Sequence, residues 1–441
     1  MKKLLLLLLI LTVCCSACQS ASVSKETSTE GKASTEISSP VENKTAPESS
    51  TAPASPFPVS EKRLSSKRFG ESSVTQSLSG LYTLAQIGFS SATAGQGSEF
   101  QSFGSFALYC EKDSDYFSFL CGRPDCMHKD ESCDAYLGKT IGPLGFYKDS
   151  LYYITQADAL GANMPCLWKM DLDGRNKQVV TPLYSEDEQR QTVGIGFITF
   201  TDGFMQLCLR KLAENGDIIS ITRYCSLDKP SLPIDTAAEL RHPQIGNGLI
   251  VSSDGEAILV KDFLDAEPSK DEDGTYMYDF LYAWNPHSNE LAAIGERKNN
   301  SPGYYDKYSG AYMEDGVLMV WDYQTKSGKA LFDTGLKGKH ILYCYPDCFL
   351  VSEYIMPEDD ASDIVHVYCY NWDMEYLGKC TIKFENAGWY SGVVMLETET
   401  RILFGDLTSD FLPLWYIEKS DFGKEEIPLH EYHYPEMELL E

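Results

Sequence analysis

Seven times along the chain a short apolar and aromatic run ends on a polar residue and a turn. The copies are residues 106–111, 167–171, 222–226, 281–285, 318–322, 367–371 and 414–418. They end on Glu111, Asp171, Ser226, Asn285, Asp322, Asn371 and Glu418, at spacings of 60, 55, 59, 37, 49 and 47 residues, with a mean of about 51. Runs rich in Val, Ile, Tyr, Phe and Trp between Gly, Asp, Asn and Ser signal strands joined by hairpins. A period of about 40–50 residues holding several strands is the length of one β-propeller blade. A lone four-stranded sheet cannot bury both its faces. Sheets stacked around an axis bury each other and leave only short edges. The expected fold is therefore all-β: a β-propeller of seven blades, with six or eight as neighbouring counts and two packed β-sandwiches as the other architecture. The run Ile427-Pro-Leu-His-Glu-Tyr-His-Tyr434 is expected to add a strand to the opening blade and close the ring.

The first sixty residues follow another logic. Met1-Lys2-Lys3 precedes an unbroken apolar run from Leu4 to Leu11. That run is too short to cross a hydrocarbon core of about 30 Å, which needs roughly 20 helical residues, so residues 1–17 read as a signal peptide. Cys15-Ser16-Ala17-Cys18 resembles the lipobox of bacterial lipoproteins, although Cys15 stands where those sequences usually carry Leu. The resemblance implies that Cys18 carries acyl chains of the palmitate kind and becomes the new N-terminus. Two such chains, at about 0.8 kcal/mol per buried CH₂, hold a protein stably on a membrane. The expected location is the extracytoplasmic face of the cell membrane. Residues 18–58 are almost only Ser, Thr, Glu, Lys, Ala and Pro, with no aromatic before Phe57. Such a composition cannot offset its ordering entropy, and it predicts a disordered tether spanning about 35 Å. The propeller is then residues 59–441.

The net charge of −28 argues against nucleic-acid partners and against electrostatic docking on anionic lipid, both of which need a basic face. Of fourteen cysteines, Cys14 and Cys15 would leave with the signal and Cys18 would be acylated. Eleven remain, an odd number that cannot pair fully within one chain. Cys208, Cys225 and Cys369 lie in apolar strand-like runs, where a free thiol packs as a small hydrophobe.

Between Leu120 and Tyr136 the pattern changes. Cys121, Cys126, His128 and Cys133 fall within thirteen residues as C-x4-C-x-H-x4-C. Three readings of that spacing stand open. The four residues supply the soft ligands that tetrahedral zinc prefers, and four protein ligands would make such a metal structural. A Cys126–Cys133 disulfide would close a small loop suited to an exported protein. Free thiols would simply pack. The chain here resembles a group of uncharacterised propeller-type lipoproteins of Gram-positive anaerobes, some described as similar to the propeller of the periplasmic translocation protein TolB. They share the signal, the polar tether and a Cys, Pro, Cys, His and Cys run after an early strand pair. The resemblance implies fold and location, and no activity.

Other motifs have plainer explanations. Asp171-Leu-Asp173-Gly174 and Asp271-Glu-Asp273-Gly274 lack the glycine offset and closing Glu of a calcium loop, and read as hairpin turns. His430-Glu431-Tyr432-His433 is one residue short of H-E-x-x-H and lies in a strand-like run, where residues three apart face opposite ways. Glu358-Asp359-Asp360 reads as a solvated loop. No phosphate-binding or nucleophile-elbow motif is present. The expected function is a non-catalytic binding or scaffolding propeller, a monomer displaying its rim loops to a glycan, a peptide or an envelope protein. The insertions 261–279 and 355–364 are the places to look. The alternative is an extracellular hydrolase of glycans or peptides with carboxylates gathered at the propeller channel.

Overall fold

The structure is a computed structural model. It describes residues 74–89, 101–129, 131–159, 162–201, 203–214, 216–235, 249–253, 258–262, 278–285, 290–298, 304–305, 309–322, 325, 327–337, 340–345, 347–355, 363–384, 391–406 and 412–435. The signal-like segment, Cys18, the tether, the second Asp-Gly turn (271–274), Glu358-Asp359-Asp360 and most of both insertions lie outside these residues.

The described residues form seven antiparallel sheets in chain order, six of four strands and the first of five. In each, the first four strands are spatial neighbours in chain order, the up-and-down meander of a propeller blade, and the fifth strand of the first sheet pairs with its third. The third strands are Gln101–Glu111, Ala162–Asp171, Ile218–Ser226, Tyr278–Asn285, Val317–Asp322, Asp363–Asn371 and Pro413–Glu418. Each of the seven sequence copies lies in one of these strands, and each ends on that strand's last residue. The chain is a β-propeller.

Local chemistry explains the meander. Asp315 and Gly316 join Ser309–Glu314 to Val317–Asp322 with φ of 49° and 81°, the left-handed pair that a tight hairpin demands. Every described side chain from Phe204 to Leu209 is buried, so this second strand of the third sheet is covered on both faces. That is the burial expected of stacked blades rather than of a sheet facing water. Shared apolar cores tie neighbours together. Tyr82, Phe106, Leu151 and Met170 join the first sheet to the second, and Ile154, Leu167, Leu207 and Cys225 join the second to the third. Val367, Cys380, Ile402 and Ile417 join the sixth to the seventh.

The first and seventh sheets also meet. Leu81, Leu108 and Phe117 share a core with Leu396, Leu403 and Tyr416. The C-terminal run contributes differently from the expectation. His430–Glu431 is the fourth strand of the last sheet, pairing with Trp415 and Tyr416. The chain then crosses over: His433 forms a single parallel bridge to Tyr116 of the first sheet's loop. Phe117 N–H donates to the His433 carbonyl at 2.8 Å, and His433 N–H donates to the Asp115 carbonyl at 2.8 Å. The run favours the last sheet because the hairpin from Pro413–Glu418 delivers it there first. Arg401 reinforces the seam, its guanidinium donating to Glu418 and to the carbonyls of Asp113 and Ser114 while lying over the Tyr416 ring.

Candidate metal centre

The outermost strand of the first sheet is split in two. Ser118–Phe119 pairs with Leu108 and Tyr109, and Tyr136–Gly138 pairs with Ser105 and Phe106. Between these pieces, opposite Ala107, residues 121–134 leave the sheet. Ala107 closes the neck of the excursion from both sides. Its carbonyl accepts from Leu120 N–H at 2.9 Å, and its own N–H donates to the Ala135 carbonyl at 2.8 Å. The loop ends are thus fixed by the sheet ladder, independently of the loop's contents.

All four sequence-predicted residues come together in this loop. One ligand atom from each of Cys121, Cys126, His128 and Cys133 lies within 4.8 Å of the others. His128 Nδ1 is 3.3 Å from Cys133 Sγ. A tetrahedral zinc with Zn–S bonds of about 2.3 Å spaces its sulfurs about 3.8 Å apart, so the set fits with only slight contraction. His128 has φ of 52°, a left-handed conformation uncommon outside glycine. Residues so held cluster where surrounding contacts over-determine them, including at ligand sites. The contacts here are a Phe119 ring stacked on the imidazole, centroids 4.5 Å apart, and the Cys133 sulfur beside it.

The electrostatics favour ligation. Burial acts against ionising Cys121. The backbone N–H groups of Arg123 and Asp134, with the Arg123 guanidinium and the Cys126 thiol, outweigh it and hold Cys121 down to about 7. Burial pushes Cys133 up to about 12, against the opposing Ala135 N–H. Cys121 therefore ionises more readily than Cys133. Burial, then the Arg123 charge, lowers His128 and keeps it in the neutral form that binds metals. Arg123 also donates to Cys126 Sγ at 3.3 Å.

Support from the second sheet was not visible in the sequence. The hairpin Asp171-Leu172-Asp173-Gly174 turns as expected, with Gly174 N–H donating to the Asp171 carbonyl at 3.0 Å. It does so directly beneath the loop. Gly174 has φ of +83°, and a Cβ there would sit 2.5 Å from the Leu120 carbonyl oxygen. Beyond the turn, Lys177 Nζ donates to the carbonyls of Asp134 at 2.6 Å and Tyr136 at 2.8 Å. Arg175 Nε lies 3.5 Å from the Asp134 carboxylate. Three cations, Arg123, Arg175 and Lys177, thus converge on the Asp134 side of a site whose three thiolates would outweigh a bound dication.

No disulfide joins any of the eleven described cysteines, Cys126 and Cys133 included. The eight outside the cluster, among them Cys208, Cys225 and Cys369, are all buried. The remaining motifs carry no comparable arrangement. His430 stacks on Tyr416, with centroids 5.1 Å apart, while His433 serves the seam through its backbone. Two partly enclosed carboxylates are engaged by cations: Glu397 by Lys419, and Glu188 by Arg223 and Lys211.

No protein-family model and no curated protein sequence matches the chain. Solved structures resembling it include oligogalacturonate lyase from Vibrio parahaemolyticus, 13% identical, covering 58% of this chain and 70% of that one at a TM-score of 0.32. Dipeptidyl peptidase 4 of Porphyromonas gingivalis is 10% identical over 77% of this chain and 47% of that one, with a TM-score of 0.35. The β-propeller domain of the Trilobed protease from Pyrococcus furiosus is 10% identical over 66% of this chain and 94% of that one, with a TM-score of 0.28. Identities and scores this low carry no argument about activity.

Proposed function

We propose that the chain is a lipid-anchored, extracytoplasmic lipoprotein whose propeller is a non-catalytic binding or scaffolding platform, braced at its first blade by a structural zinc. Cys18 would carry the anchor, and residues 18–58 would stand a closed ring of seven blades off the membrane. The observation that supports this best is the completeness of the Cys121, Cys126, His128 and Cys133 set. Four protein ligands satisfy tetrahedral zinc and leave no position for a substrate water, which is the arrangement of structural rather than catalytic sites. The engaged carboxylates Glu188 and Glu397 support the same reading. The ligand sought is a glycan, a peptide or an envelope protein, met by a monomer through its rim loops.

The full chain, purified in detergent without chelator, tests the proposal. Native mass spectrometry should show one zinc, lost on chelation, and cell fractionation should move a Cys18→Ser variant out of the membrane. Incubation with glycan and peptide panels should give retention without turnover. Released product from either panel would replace the scaffold reading with that of a hydrolase, and zinc-free protein carrying a Cys126–Cys133 bond would remove the metal.

A further inference from the structure

We infer that the loop is also an oxidation site, at which hydrogen peroxide converts Cys121 and Cys126 to a disulfide and would expel the metal. The inference deepens the zinc reading, and it rests on geometry. Of the eleven described cysteines, only Cys121 and Cys126 are not buried. Thiol chemistry with solvent is therefore confined to these two, which lie in one loop with their sulfurs within 4.8 Å of each other. Cys133 is excluded by its seat. It is only 2% exposed and packs with Leu120, Ala135 and Leu137 in the core shared by the first two sheets. The chain already turns between the pair, with Cys126 N–H donating to the Arg123 carbonyl at 3.3 Å. The two sulfurs, within 4.8 Å of each other, need only a local adjustment of the loop to reach the S–S bond length of about 2.05 Å.

The chemistry balances. One thiolate of the pair attacks one peroxide oxygen, the O–O bond breaks, and a sulfenic acid forms as the departing hydroxide takes up a proton to become water. The other thiolate then attacks that sulfur, forming the S–S bond and displacing the second hydroxide, which is protonated to the second water. Two thiolates lose two electrons, the peroxide gains two, and two protons are consumed. A zinc held there would keep only Cys133 and His128 as ligands and would be released as the dication. Because Ala107 holds both ends of the loop through backbone hydrogen bonds, the blade persists and the change stays local, so reduction can rebuild the site.

The test uses the full chain in detergent, with its zinc content measured before any oxidant is added. One equivalent of hydrogen peroxide is then supplied, zinc release is followed with a chromophoric indicator, and thiols are mapped by alkylation and peptide mass. The expected result is about one zinc released per peroxide, a loss of two hydrogens, and a Cys121–Cys126 crosslink that a dithiol and fresh zinc reverse. Retained zinc with all thiols intact under excess peroxide overturns the inference. So does a crosslink to Cys133, or sulfinic acid without any crosslink. Protein that holds no zinc before oxidation removes the metal reading alone. The peptide map then still decides, since the same crosslink upholds the oxidation site and its absence overturns it.

Discussion

Lys177, on the second sheet, donates to the carbonyl of Asp134, 2.6 Å away on the first sheet's ligand loop. The residue next along the loop from Cys133 is thereby held by a different blade. Gly174 and Arg175 reach the same loop from the same hairpin. The candidate metal centre is thus built by two blades, although all four residues that could hold the ion belong to one.

Replacing Lys177 with Met should weaken zinc binding about tenfold or more, in line with the effect of losing groups that orient ligands from outside the coordination sphere. The shortened reach removes two hydrogen bonds from the backbone flanking Cys133 while leaving every ligand in place. Competition against a chromophoric chelator reads the affinity. An unchanged constant would mean that the loop orders its ligands alone.

Gly174→Ala should destabilise the fold by about 1–3 kcal/mol, because alanine resists the left-handed conformation. The added methyl also meets the Leu120 carbonyl, which already bounds the neck of the loop. Chemical denaturation measures the loss, and a matched Gly194→Ala change, where a Cβ would meet nothing within 4 Å, serves as the comparison. Equal effects at the two sites would sink the proposed contact.

The blade rhythm was legible because one class of strand repeats. Third strands such as Val317–Asp322 are central in their sheets and carry dense apolar and aromatic runs. Edge strands are only two residues long at Thr75–Gln76, Ile234–Asp235 and His430–Glu431, too short to leave a period. The ligand set was legible for a related reason: its members fall within one insertion of the chain. Lys177 and Arg175 were not, since they lie more than forty residues beyond the loop and look like ordinary hairpin residues until the blades are stacked. The approach of the C-terminal run to the first sheet was anticipated, but the pairing of His430–Glu431 with the last sheet was not. Pairing across the ring depends on where the last hairpin delivers the chain, and residue pattern alone does not record that.

Phe117→Ala should cost about 3–5 kcal/mol, the range for deleting a buried ring. Phe117 is fully buried and stacks on Tyr434 with centroids 5.0 Å apart, with Tyr432 edge-on at 5.3 Å. It also donates its N–H to His433, so it holds the C-terminal run against the first sheet through both side chain and backbone. The denaturation midpoint should fall sharply, with little change for Tyr376→Ala at a half-exposed site. Comparable small losses in both variants would show that the seam between the first and last sheets bears little of the stability.

Glu188 makes the acid side of the stability profile predictable. Its carboxylate accepts from Arg223 at 2.6 and 3.0 Å, from Lys211, and from the Ser185 N–H at 3.0 Å. The Arg223 bonds act first, burial opposes them, and Lys211 and Ser185 add to them, so Glu188 is held well below the usual carboxylate range. A group depressed in the folded state binds protons more readily in the unfolded chain, and stability then rises with pH through the carboxylate range. The contribution is fully present above an ordinary glutamate value of about 4.3 and is lost as pH falls towards the depressed one. Glu188→Gln removes that dependence. The stability gap between wild type and variant should be widest near pH 7 and should narrow by about pH 3, because only the wild type has a carboxylate to protonate. Denaturation midpoints across that interval measure the gap, and a gap that stays constant would mean the Arg223 and Lys211 contacts do not hold Glu188 ionised.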